Sequence, residues 1–301
     1  MTTKLYTTNL DMSSDAGFRA WGVEFSAAMA TIGMVQTADS GQINWTTVIR
    51  PAGSSNAGYE IWRFDDTNHT AAPIVIRIDY GCDNAVTRPR MMLTIGTGSN
   101  GSGTITGVLK TTTQVSRGNS NVVSSITNYP TYMCCVDGFL GVCWKGGGSD
   151  TGRAYAFFSI GRTVDDTGAP TTAGIVLNLT FANGAGNSPG YAETWMFATG
   201  YNANSGTSST PITNNLPCYA FIPYSLTATI IAGSPGARQI FRHYHPTPLI
   251  RPYMWLASST ITDAIVDGTT FSLTPVGTTP RTFMCLGTWA TANERMCMMW
   301  E

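Results

Sequence analysis

The residues able to do chemistry in this chain are few and scattered. His243 and His245 stand two apart, a spacing that puts both imidazoles on one face of a strand, where they could share a metal ion. His69 is the only other histidine, and Pro246 and Pro248 end that strand, so an exposed or interface pair is the simpler reading. Asp65-Asp66 and Asp165-Asp166 are adjacent acids of the kind that serve glycosidases or Ca²⁺-binding loops. The second pair continues into Thr167-Gly168-Ala169-Pro170 and reads more simply as a turn. Gly96-Thr97-Gly98-Ser99-Asn100-Gly101 matches the dinucleotide pattern G-x-G-x-x-G. Ser102-Gly103-Thr104-Ile105-Thr106 follows it, however, instead of a helix whose N-terminus could hold a pyrophosphate. No cysteine stands beside a histidine in sequence. The expectation is a non-enzymatic chain with no catalytic residue, cofactor or metal.

The seven cysteines, Cys82, Cys134, Cys135, Cys143, Cys218, Cys285 and Cys297, are odd in number, irregularly spaced and never in C-x-x-C, which argues against a zinc ribbon or a redox motif. Buried free thiols and disulfides, within or between subunits, both fit. The N-terminal Met1 to Tyr6 carries one Lys with no apolar run behind it, and no 18-residue apolar stretch occurs, so neither a signal peptide nor membrane insertion is expected.

Whatever these residues do, strands must position most of them. Only 12% of the 301 residues are charged, the net charge is −1, and Thr, Ser, Gly and Asn fill every segment. Such a surface offers no field for nucleic acid and repels neighbours weakly. Hydrophobic content of 43% is enough for a sizeable core. One segment has a helical period: Phe18, Trp21, Phe25, Ala28, Met29 and Ile32 share a face, Ser14 is suited to the N-cap, and Gly33 to the left-handed position that ends a helix. This predicts a helix from Asp15 to Ile32, packed on a sheet or another subunit.

Beyond Gly33 the period becomes two. Strands are expected at Ile43 to Arg50, Tyr59 to Phe64, Ile74 to Tyr80, Met91 to Ile95 and Thr104 to Leu109, with a loop from Gly96 to Gly103. Tyr132 to Val136 and Phe139 to Trp144 flank Asp137-Gly138, a two-residue hairpin signal. Further strands are expected at Ala154 to Ile160, Ile175 to Phe181, Thr194 to Thr199, Cys218 to Ile231, Phe271 to Thr274 and Thr282 to Gly287. The fold class is mainly β: antiparallel β-sandwich-type domains with one N-terminal amphipathic helix. An arm and helix would occupy residues 1–40, a main β domain 41–200, and a C-terminal β region 201–301, with Tyr201 to Pro211 as the linker or long loop. The apolar end Met296-Cys297-Met298-Met299-Trp300 is expected to be buried, against a neighbouring subunit or on the chain's own core. Interface candidates are therefore Phe18, Trp21, Phe25, Met29, Met298, Met299 and Trp300.

Three stretches carry a resemblance: Phe18 to Gly22 leading into Gly33 to Trp45, Ala57 to Asp66, and Phe157 to Gly168. Together they resemble virion-associated structural proteins of tailed bacteriophages, found in tails, baseplates or necks. The resemblance spans roughly residues 14–185 and implies a virion location, no enzyme activity and no catalytic residues. It also implies other virion proteins as partners, in a symmetric ring or trimer of like subunits, with a host-surface receptor as a further partner. Three other roles follow from the same sequence. A glycan-binding adhesin would use Trp45, Trp62, Trp144, Trp195, Trp255 and Trp289 as stacking platforms. A head decoration protein is another, and a polysaccharide-degrading enzyme would need two acids among Glu60, Asp65, Asp66, Asp165, Asp166 and Glu193 across a groove.

Overall fold

Ser14 opens the helix. Its hydroxyl accepts from the Gly17 amide at 3.0 Å, Asp15 adds a negative charge to the first turn, and α1 then runs Asp15–Thr31. Ile32 is the C-cap and Gly33 takes φ +98°, so the helix ends one residue before the expected limit. A strand, β1 (Lys4–Thr8), precedes it. The structure, a computed structural model, describes residues 4–8, 14–53, 55–83, 85–117, 129–136, 138–146, 154–164, 169–180 and 191–197, and in the C-terminal third the strands alone.

Three antiparallel sheets form. The five-stranded sheet is a meander of β2 (Met34–Gln36), β3 (Asn56–Phe64), β4 (Val75–Asp83), β5 (Ala85–Ser99) and β6 (Ile105–Arg117). The second is also a meander, of β7 (Tyr129–Val136), β8 (Phe139–Gly146), β9 (Ala154–Val164), β10 (Pro170–Thr180) and β11 (Tyr191–Phe197). In the last third come β12 (Tyr219–Ala220), β13 (Arg238–His243), β14 (Leu249–Ile250), β15 (Met254–Ser259), β16 (Thr270–Leu273), β17 (Arg281–Thr288) and β18 (Glu294–Met299). β1 extends the second sheet beside β7, and β14 pairs with the end of β9, making it seven-stranded. The remaining six form a third sheet in the order β12-β13-β15-β18-β17-β16.

Period-two alternation decides which face is buried. Trp62 and Phe64 of β3, Ile76, Ile78 and Tyr80 of β4, and Met91, Leu93 and Ile95 of β5 share one core with the stripe of α1. Met133 and Cys135 of β7, Leu140 and Val142 of β8, and Phe158 and Ile160 of β9 close the same core from the second sheet. This is the mainly β, sandwich-type fold with one N-terminal helix that the sequence predicts.

Two local expectations are corrected. Ile43 to Arg50 is not a strand, because the Asn44 side chain accepts from the amide and hydroxyl of Thr46 and the Asn44 carbonyl from Thr47 and Val48, which closes a turn. Gly96 to Ser99 is not loop but the end of β5, paired with β6 through Gly96↔Val108 and Gly98↔Thr106. A Cβ at Gly96 would strike Ile105 and the Thr106 carbonyl, so these glycines permit close approach of two strands. The two strands of the expected hairpin are found, with Val136 opposite Phe139 and Gly138 at φ +80°, while Asp137 lies outside the described residues. The strand expected from Cys218 to Ile231 is described only at β12. Asp165, Asp166, His245, Trp289, Trp300 and the segment 201–211 lie outside the described residues.

Candidate functional site

The most concentrated polar chemistry surrounds Glu60. On β3 it shares the inward face with Trp62 and Phe64, and it is only 2% exposed. Five neutral donors converge on it from five parts of the chain. Its Oε1 accepts from Ser26 Oγ of α1 at 2.6 Å, Trp45 Nε1 at 3.0 Å and Gln36 Nε2 at 3.4 Å. Its Oε2 accepts from Tyr80 OH at 2.6 Å and Trp62 Nε1 at 3.3 Å. A carboxylate offers about four lone-pair sites, so this one has no acceptor capacity left for a substrate proton or a metal. Rings wall it in: Trp45 meets Tyr80 edge-on at 5.0 Å and Phe18 at 5.3 Å, and Trp21 meets both Trp45 and Tyr80 at 6.0 Å. The arrangement joins helix, loop and sheet through one buried charge.

A second constellation pins two loops together. Asp39 accepts from Thr37 Oγ1 and Ser99 Oγ, each at 2.6 Å, and from the Gly103 amide at 3.1 Å. Burial pushes its carboxyl up, but hydrogen bonds from Ser99, Thr37 and the amides of Gly103 and Gly101 more than offset this, and the pKa lies below the ordinary value. Tyr59 OH donates to the Ser40 carbonyl at 2.9 Å. Arg77 lies 3.9 Å over the Tyr59 ring, grips Asp79 through both Nε and Nη2, and donates Nη1 to the Gly103 carbonyl at 2.7 Å. Gly101 and Gly103 sit at φ +79° and +96° in this loop. The glycine-rich motif thus shapes a hairpin end tied to Asp39.

The third feature links the two halves of the sandwich. Arg162 of β9 is 2% exposed, pairs with Asp66 beyond β3, and lies over the Phe64 ring. Its Nε and Nη2 have no hydrogen-bond partner.

The structure keeps the other acids apart. Asp65 pairs with Arg63 at 2.9 Å, and Glu193 lies on β11. Among the described residues no group of three or more His, Cys, Asp or Glu could hold a metal ion. His69 Nδ1 lies 2.7 Å from the Asp66 carbonyl, and His243 is paired with Tyr219 at the start of the third sheet. An open groove of about 560 Å³ runs along residues 41–44, 47–51 and 55–58, and no acid lines it.

The apolar stripe of α1 packs on the chain's own sheets, the first of the two placements the sequence allows. Phe18, Trp21, Phe25 and Met29 lie in the chain's own core, at most 4% exposed, because Trp45, Tyr80 and the sheet cover them. The outward face of α1 carries Ala20, Val23, Glu24, Ala27 and Ala30 instead. Met298 and Met299 belong to β18, an interior strand with β15 on one side and β17 on the other. Trp45 and Trp62 are buried with their indole N–H groups on Glu60, which removes them as stacking platforms. Sequence reading did not single out Glu60, Asp39 or Arg162 as centres. One signal was available for the first: a lone acid on the apolar face of a strand, in step with Trp62 and Phe64.

Comparison with known protein families, curated proteins and solved structures gives no match to this chain.

Proposed function

We propose that this chain is a non-enzymatic structural subunit of a tailed-phage virion, part of the tail, baseplate or collar, working through protein–protein interfaces. The observation that carries the reading is where the three phage-like stretches fall. Phe18 and Trp21 from the first touch Trp45 at its end, Trp45 donates to Glu60 of the second, and Asp66 at the close of the second pairs with Arg162 of the third. The shared residues build a scaffold and not a cleft. Glu60 and Asp39 are saturated by internal donors, which fits a chain whose work is done by its surface. That surface is short of charge, so close packing of copies meets little electrostatic repulsion.

The test is direct. Particles produced by a host expressing the gene are purified, their proteins identified by mass spectrometry, and the chain located by cryo-electron microscopy. The expected result is a symmetric set of copies in the tail, baseplate or collar. A chain missing from purified particles and monomeric in sedimentation at micromolar concentration overturns the proposal. A position on the capsid shell would make it a decoration protein. Glycan binding from a fibre tip would make it an adhesin.

A further inference from the structure

The ladder between β17 and β18 brings two cysteines face to face: Cys285 and Cys297 are Cα partners. Residues directly opposite in an antiparallel pair have Cα atoms about 4.5–5.5 Å apart and belong to the same face of the sheet. A disulfide spans Cα separations of about 4.4–6.8 Å, so this register, the last before the ladder shifts between Cys285 and Gly287, lies within its reach. The other cysteines on described ladders have no such partner. Cys82 stands opposite Pro89, Cys134 opposite Gly141, Cys135 opposite Leu140, and Cys143 between Tyr132 and Phe157. Cys134 and Cys135 are buried thiols, and burial pushes the Cys134 thiol well up, which keeps it inert.

We propose that Cys285 and Cys297 are a redox-responsive pair that closes to a cross-strand disulfide when the protein meets a small-molecule disulfide such as oxidised glutathione. One protein thiolate attacks a glutathione sulfur, forming a mixed disulfide and releasing one glutathione. The second thiolate attacks the protein sulfur of that mixed disulfide and releases the other. The protein dithiol loses two electrons, the glutathione disulfide gains them, and the two thiol protons end on the two glutathione molecules. The bond would join β18 covalently to β17 inside the third sheet. This pairing follows from the register alone and is independent of the virion reading.

Trypsin cutting after Arg281 and Arg295 places Cys285 in peptide 282–295 and Cys297 in peptide 296–301, so the digest reports the bond. The full chain is incubated with oxidised glutathione, remaining thiols are alkylated, and the unreduced digest is analysed by mass spectrometry. The expected product is these two peptides joined, separating on reduction. Mixing ¹⁵N-labelled and unlabelled protein before oxidation should give only same-label pairs. Both thiols found alkylated, either one found joined to another cysteine, or mixed-label pairs would each overturn the proposal. C285S should leave Cys297 alkylatable, and C297S should do the same for Cys285. The wild-type measurement stands if either variant misfolds.

Discussion

At the scale of single residues, Glu60 shows how a buried charge is retained without a cationic partner. Removing a carboxylate from water costs several kcal/mol, and here five neutral donors offset that cost. Those donors in turn depend on it. E60A would orphan two indole N–H groups and take from the Tyr80 hydroxyl its acceptor, and chemical denaturation should show a loss of roughly 3–5 kcal/mol. E60Q keeps one acceptor oxygen and should lose less, about 1–2 kcal/mol. Equal losses for the two variants would mean that shape and not acceptance matters. Among the described carboxyls, Asp39 carries a pH dependence. Its folded pKa lies below the ordinary 3.8, so its full contribution is present above that value. As pH falls, the unfolded chain takes up the proton first, and stability declines until the folded carboxyl is protonated as well. D39N should therefore be less stable near neutrality by about 1–3 kcal/mol and show a flatter acid limb when urea midpoints are plotted against pH. Parallel acid limbs for wild type and D39N would contradict this.

At the scale of elements, α1 is held by fit as much as by its stripe. Gly22 lies under the Trp45 ring, where a Cβ would collide with the indole. On helix propensity alone Gly22→Ala should stabilise by about 1 kcal/mol. The collision wins, because Trp45 is fixed from its far side by Glu60 and cannot retreat without breaking that bond. G22A is expected to lower stability by roughly 1–3 kcal/mol. A rise in melting temperature would show that the ring can move. These cases also show how much of the fold could be read in advance. The helix was legible because its period, N-cap and terminal glycine agree within one local stretch, and the Asp137-Gly138 hairpin for the same reason. Ile43 to Arg50 was misread because Asn44 satisfies the backbone locally and overrides an alternation of apolar residues. β2 is three residues long, too short to leave a periodic trace. The polar clusters were hard to read because most of their members come from distant segments: Ser26, Gln36, Trp45 and Tyr80 around Glu60, and Ser99 and Gly103 around Asp39.

At the scale of the whole molecule, the five-stranded sheet guards both its edges. β2 offers only three residues, and the β5–β6 ladder carries three register irregularities that kink the other side. Association of copies by adding strands to this sheet is thereby discouraged. With so few charges on the chain, contacts between copies should respond little to salt. If copies assemble as proposed, sedimentation of the oligomer should show its dissociation constant changing by less than about threefold between about 50 and about 500 mM salt. A tenfold or greater weakening would point to ion pairs at the interface. The second sheet has a different consequence, one of time. Leu5 pairs with Tyr132 and Val164 with Leu249, so its outer strands return from far along the chain and must close long loops first. Topologies of this kind fold in milliseconds to seconds, not microseconds. During that interval β7 and the end of β9 wait with backbone groups unpaired. Yield of native protein should accordingly depend on how dilute the refolding chain is kept, with aggregation competing against the late arrival of β1 and β14.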